Sequence, residues 1–149
     1  MNVQLPPRGR RRPAVVAGLS VVAGLAVVAA LLAGCSSLGP GSEEATDATT
    51  RFFESLAEGD GTAACALLNE SAREAVEEQT DARCADGVLT LGLDPDARPD
   101  GTEVYSRAAF VRTGPTAVFL TPGDDGWLIR AAGCEPVADA PFDCALDGS

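Results

Sequence analysis

Five cysteines, at positions 35, 65, 84, 134 and 144, and a complete lack of histidine limit the chemistry open to this chain of 149 residues. Without an imidazole, neither a serine nor a cysteine nucleophile has the base that activates it in Ser-His-Asp or Cys-His arrangements. Zinc is disfavoured too, because the cysteines form no C-x-x-C pair and no histidine can complete a tetrahedral set. No Gly-rich phosphate loop is present, so neither metal nor cofactor is expected. A general base would have to be a carboxylate raised by burial. The best arrangement is Glu103, Tyr105 and Arg107, which alternation along a strand sets on one side as an acid, a donor and a positive charge. The same trio reads equally as a solvated ladder of alternating charge at a strand edge, and no catalytic residue is assigned. "DPDARPDG", Asp94 to Gly101, offers three aspartates to calcium, but against an EF-hand template Arg98 and Pro99 fall where a ligand and a glycine belong. It is expected to be a solvated loop.

The first 34 residues differ from the rest. They hold Arg8, Arg10, Arg11 and Arg12 and no acid, whereas residues 35–149 hold seven arginines, no lysine and 22 acidic side chains, a net charge of −15. Scattered arginines among so many acids cannot neutralise a run of phosphates, which argues against nucleic-acid binding. The acidity suits solubility, or a basic partner.

"PPRGRRRP" is followed by "AVVAGLSVVAGLAVVAALLAG", Ala14 to Gly34, with Ser20 as its only polar side chain. This is a positive n-region and an apolar h-region. At about 1.5 Å per residue the stretch would also just span a ~30 Å hydrocarbon core, so length alone does not separate a signal from an anchor. The residues that end it do: Leu32-Ala33-Gly34-Cys35 resembles the lipobox of bacterial lipoproteins, a leucine, two small residues and a cysteine. The resemblance implies that Cys35 takes a diacylglyceryl group, that signal peptidase II cuts before it, and that the mature protein sits in the cell membrane on the extracytoplasmic face. Two acyl chains hold a protein stably where one does not. The export route, general secretory or twin-arginine, stays open.

The expected organisation is therefore a cleaved signal peptide at 1–34, a lipidated cysteine and tether at 35–42, and a folded domain at 43–149. "SSLGPGS" has no periodicity and reads as flexible, and about ten residues of tether give a mean span on the order of 17 Å and a maximum near 35 Å. With Cys35 lipidated, four cysteines remain in a compartment where disulfides persist. Of the three pairings, Cys65–Cys84 and Cys134–Cys144 join nearest neighbours in sequence and are favoured.

Glu43 to Glu58 places Ala45, Ala48, Phe52, Phe53 and Leu56 on one side at helical spacing, with Gly59 to close the helix. Asp60 or Thr62 can cap the next one. "AACALLNESAREAVEEQ" supplies one or two short helices, with Ser71 and Glu74 in the form of a capping box. A further helical stretch over 81–91 would carry Cys84. The period then changes to that of strands: Thr102–Ser106, Arg107–Thr113, Thr116–Thr121 and Trp127–Ala132. Gly114-Pro115 suits a two-residue hairpin turn, a register that sets Phe110 against Phe119 on one face and Val111 against Val118 on the other. "PGDDG", Pro122 to Gly126, makes the next turn. Both hairpin faces are apolar, so one must meet the helices and the other a second layer, a partner or a ligand.

Helices first and an antiparallel sheet last is an α+β domain. "FFESLAEGDGTAACALLNESAR" resembles the opening of nuclear transport factor 2-like (cystatin-like) domains. "CALL…C", "TAVFLTPGDDGWLIRAAGCEP" and "PFDCALDG" are similar to envelope lipoproteins of high-GC Gram-positive bacteria whose function is uncharacterised. That resemblance implies a sheet curled around helices, enclosing an apolar cavity or offering an open face to a second copy in a homodimer. Phe110, Phe119, Tyr105 and Trp127 are the candidate pocket or interface residues, each also a candidate for plain core. Three function classes follow: a non-catalytic binding module for an unknown protein or small apolar ligand, a small isomerase- or dehydratase-like cavity enzyme using a buried carboxylate, and an acidic spacer or regulator. A buried carboxylate in an enclosed pocket would mark the enzyme.

Overall fold

A computed structural model of the chain describes residues 41–138 and 142–148. The expected signal peptide, the Leu32–Cys35 motif and the expected tether up to Pro40 lie outside the described residues, as does the 139–141 segment. The chain divides into two units, 1–36 and 37–149, and all that follows concerns the second.

Helix α1, Ser42–Glu58, begins one residue earlier than the spacing predicts. Its first turn carries Glu43 and Glu44, which complement the positive helix end. The Glu44 carboxylate reaches back to accept from the Gly41 N–H at 2.9 Å, one half of a capping box. Gly59 ends it in the left-handed conformation at φ 71, with Gly59 N–H donating to Leu56 O and Asp60 N–H to Ser55 O, a Schellman closure. The stripe it buries is Ala45, Ala48, Thr49, Phe52 and Phe53, with Ser55 beside it. Thr49 is tolerated there because its hydroxyl donates to Ala45 O at 2.9 Å, leaving nothing unsatisfied.

Asp60 caps α2, Gly61–Ala66, by accepting from Ala63 N–H. Helix α3, Glu70–Thr80, starts a residue before the expected Ser71/Glu74 box. Asn69 is the cap, its side chain accepting from Ala72 N–H at 2.8 Å, which leaves Ser71 inside the helix. The stretch expected over 81–91 is also shorter, because Asp81 (φ 52) ends α3 in the left-handed region. Only Cys84–Gly87 (α4) and a 3₁₀ turn at Val88–Thr90 remain helical.

Five strands form one antiparallel sheet in sequence order: β1 Gly101–Tyr105, β2 Ala108–Thr113, β3 Thr116–Gly123, β4 Gly126–Glu135 and β5 Asp143–Asp147. Phe110 pairs with Phe119 and Val111 with Val118, as the Gly114-Pro115 turn requires, with Gly114 at φ 72. Three expectations need correction. Ser106 and Arg107 are the two-residue turn between β1 and β2 rather than strand ends, with Ser106 at φ 53. β3 runs on through Pro122 and Gly123, so only Asp124 and Asp125 make the next turn. β5 was not anticipated at all.

One face of the sheet packs Val111, Val118, Leu120, Ile129, Ala132 and Leu146 against Ala45, Ala48, Phe52, Phe53, Leu68 and Val76 of the helical layer. The backbone stitches the layers as well: Asn69 N–H donates to Ile129 O and Ile129 N–H to Leu67 O. Gly61 fits against α4 because it has no side chain; a Cβ there would lie 1.7 Å from Ala85 O. Gly61→Ala should therefore cost about 3 kcal/mol, read as a lower urea midpoint with the slope unchanged, whereas an unaltered midpoint would refute this packing.

Candidate functional site

The four cysteines of the domain form two disulfides, Cys65–Cys84 and Cys134–Cys144, as nearest-neighbour pairing predicts. The first ties α2 to α4 across the helical layer. The second joins directly paired positions on β4 and β5. On a chain-entropy account each contributes about 3 kcal/mol.

Phe110 and Phe119 face away from the helices. Their rings lie 5.3 Å apart, and the space over them is taken by Phe142, at 6.0 Å from Phe110 and 4.9 Å from Phe119. Ala117, Ala131 and the Cys134–Cys144 bridge complete this second cluster. The outer face of the hairpin is thus partly covered by the chain's own Phe142, which reaches it because it stands two residues before Cys144, and all three rings stay half-buried. Trp127 is not part of this cluster. It is 3% exposed in the main core on the other face, and its indole N–H donates to Gly41 O at 2.9 Å.

Tyr105 is apart from both, 61% exposed on edge strand β1. Its hydroxyl donates to the Glu103 carboxylate, and this bond, with the nearby negative charge and slight desolvation, raises the phenol above its ordinary value of 10.0. Arg107 lies in the adjoining turn and not on the strand face with them. The structure therefore joins two of the trio, in water, and separates the third. Among the described residues every Asp, Glu and Arg is exposed, and the only buried polar side chains are Thr49, Ser55 and Thr113. Among the described residues no group of three His, Cys, Asp or Glu is placed to hold a metal ion. In the 94–101 loop, Asp94 accepts from Asp96 N–H, and the Arg98 guanidinium donates to the carbonyls of Pro95 and Ala97.

Three clefts touch α1. One of about 450 Å³ lies against Glu44, Asp47, Arg51, Asp125 and Trp127. A second, about 330 Å³, lies between Ser42, Glu43 and Thr46 and the start of β1 at Gly101 and Thr102. The third, about 280 Å³, lies further along the helix between Phe53, Asp94, Ala97, Thr113, Pro115 and Glu135. All mix polar and apolar walls and open to solvent. Sequence reasoning missed Phe142 and Gly41 as positioning residues. The signal for Phe142 was there, since it stands two residues before Cys144 and so on the same side of an extended chain.

No protein-family profile, curated protein or solved structure matches this chain. No helix among the described residues is long and apolar enough to cross a membrane.

Tyr105 is the only tyrosine, so its titration can be followed directly. A phenol whose folded value is raised adds stability below its unfolded value and loses that contribution as pH climbs through the folded one. The absorbance midpoint at 295 nm should lie above 10.0 in the native protein and fall back towards it in Glu103→Gln. An unchanged midpoint would contradict the Glu103 contact.

Proposed function

We propose that this chain is a lipoprotein of the extracytoplasmic face of the cell membrane, anchored by a diacylglyceryl group on Cys35, whose α+β domain is a non-catalytic interaction module. The observation that carries the reading is the use of cysteine. Two disulfides consume four of five, which suits an oxidising compartment. The fifth stands at the end of an apolar stretch in Leu32-Ala33-Gly34-Cys35. Helices followed by a five-stranded antiparallel sheet accord with a nuclear transport factor 2-like domain. Every carboxylate among the described residues is exposed, so the alternative reading, a cavity enzyme working from a buried acid, finds no such acid among them. Open clefts of mixed polarity favour a protein partner over a small apolar ligand.

Intact-mass measurement of protein extracted from membranes tests the anchor. The expected mass lacks residues 1–34 and carries the lipid on Cys35, and Cys35→Ala should accumulate as uncleaved precursor. An unmodified Cys35, or residues 1–34 still attached to the mature protein, would refute the proposal.

A further inference from the structure

The two disulfides stand in different surroundings. Cys65 and Cys84 are both buried, between α2 and α4 where Gly61 lies against Ala85 O. Cys134 is buried as well, at 0% exposure, but its partner Cys144 is only half-buried. Topology explains the difference. In a sheet ordered β1-β2-β3-β4-β5, β4 lies between two strands, whereas β5 has a strand neighbour on one side only among the described residues. A bridge between directly paired positions spans the gap between its two strands, so its axis runs across the sheet. A thiolate that displaces one sulfur of a disulfide approaches in line, on the side opposite the sulfur that leaves. For Cys134 that side is β3, where the buried Ala117 is its direct partner. For Cys144 it is the open edge beyond β5. A cleft of about 250 Å³ runs there, between Cys144, Ala145 and Asp147 and the α3 residues Ala75, Glu78 and Gln79.

We infer that Cys134–Cys144 is the exchangeable disulfide of this domain and that Cys144 is its modification site, the sulfur taken by a small neutral or cationic thiol. In the first step the incoming thiolate bonds to Cys144 Sγ, the bond to Cys134 breaks, and Cys134 Sγ leaves with the electron pair and takes a proton from water. One disulfide is exchanged for another, so no separate oxidant or reductant is required. A second thiolate attacking the added sulfur completes the reduction: the two small thiols leave joined as their disulfide, oxidised by two electrons, and Cys144 is released as a thiol. The class of thiol follows from charge. Glu78 in the cleft and Asp143 beside Cys144 are exposed carboxylates that repel an anionic thiol and attract a cationic one. Loss of the link frees the Phe142 end of β5 and not the whole strand, because Leu146 stays in the main core and Gly148 N–H donates to Arg130 O. What is then uncovered is Phe110 and Phe119. None of this depends on the anchoring through Cys35.

The full-length chain, with any free thiol first blocked by iodoacetamide, is exposed to cysteamine, 2-mercaptoethanol or 2-mercaptoethanesulfonate at equal thiolate concentration, quenched in acid and labelled with N-ethylmaleimide. At early times tandem mass spectrometry should find the added thiol on Cys144 and the maleimide on Cys134, with this bond opening about tenfold faster than Cys65–Cys84. Cysteamine should react about fivefold faster than the sulfonate, a margin that closes in about 1 M salt, where the Debye length is about 3 Å. Glu78→Gln/Asp143→Asn should lose the margin while still reacting at Cys144. Emission from Trp127, the only tryptophan, should hold steady while a hydrophobic dye begins to bind. Adduct on Cys134, Cys65–Cys84 opening at the same rate, or exchange that tracks a loss of the Trp127 signal would overturn the assignment of Cys144. Equal rates for the three thiols would overturn the selection by charge.

Discussion

The β2–β3 hairpin is apolar on both faces, and most of the structure answers that constraint. A two-sided apolar ribbon cannot stand in water, so each face needs its own cover. The helical layer covers Val111, Val118 and Leu120. On the other face a strand added at the edge, β5, brings Phe142 over Phe110 and Phe119. The tilted and edge-on ring contacts there are each worth about 0.5–1.5 kcal/mol beyond their buried area. The Cys134–Cys144 bridge sits in the same cluster, so the covalent link and the aromatic cover act on one short segment.

The helical side solves a different problem, that of short elements. Helices α2 and α4 have six and four residues and would not persist alone in water. Their stability is borrowed from the Cys65–Cys84 bridge, from the Asp60 and Asn69 caps on either side, and from the backbone bonds that tie Leu67 and Asn69 to Ile129. Polar groups that enter this layer bring their own partners. Thr49 and Ser55 bond to carbonyls one turn back, and Thr113 pairs with Thr116, so among the described residues no buried side-chain polar atom is left without a partner. The charged side chains of the described residues all lie at the surface.

Much of this was legible in the residues. Helix α1, strands β1 to β4, the Phe110/Phe119 and Val111/Val118 register and both disulfide pairings follow from period, turn chemistry and cysteine spacing. The misses share a cause: a local signal was outweighed by a neighbour. Asn69 took the cap that Ser71 also offered, and Asp81 closed α3 where apolar spacing alone would extend a helix. Pro122 reads as a turn residue yet continues β3, as it can near the end of a strand. β5 is five residues long with two aspartates in it, and its identity depends on Cys144 and Phe142 finding partners far off in sequence. Of the candidate site residues, Phe110 and Phe119 meet, while Trp127 and Tyr105 go to the core and the edge. Trp127 occupies the helix-side face, a distinction that the bulges in the β3–β4 pairing blur in sequence, whereas Tyr105 shares the outer face with Phe110 but stands at the end of the edge strand, beyond the phenylalanine cluster.

The claim that Phe142 and the Cys134–Cys144 bridge jointly cover the outer face is tested most directly by a double-mutant cycle on unfolding free energy: Phe142→Ala, Cys134→Ala/Cys144→Ala, and the two combined. The account predicts that each change is destabilising and that they couple by more than about 0.5 kcal/mol, with a hydrophobic dye binding the native-state variants. Strict additivity, with Phe142→Ala costing nothing and no dye bound, would contradict it.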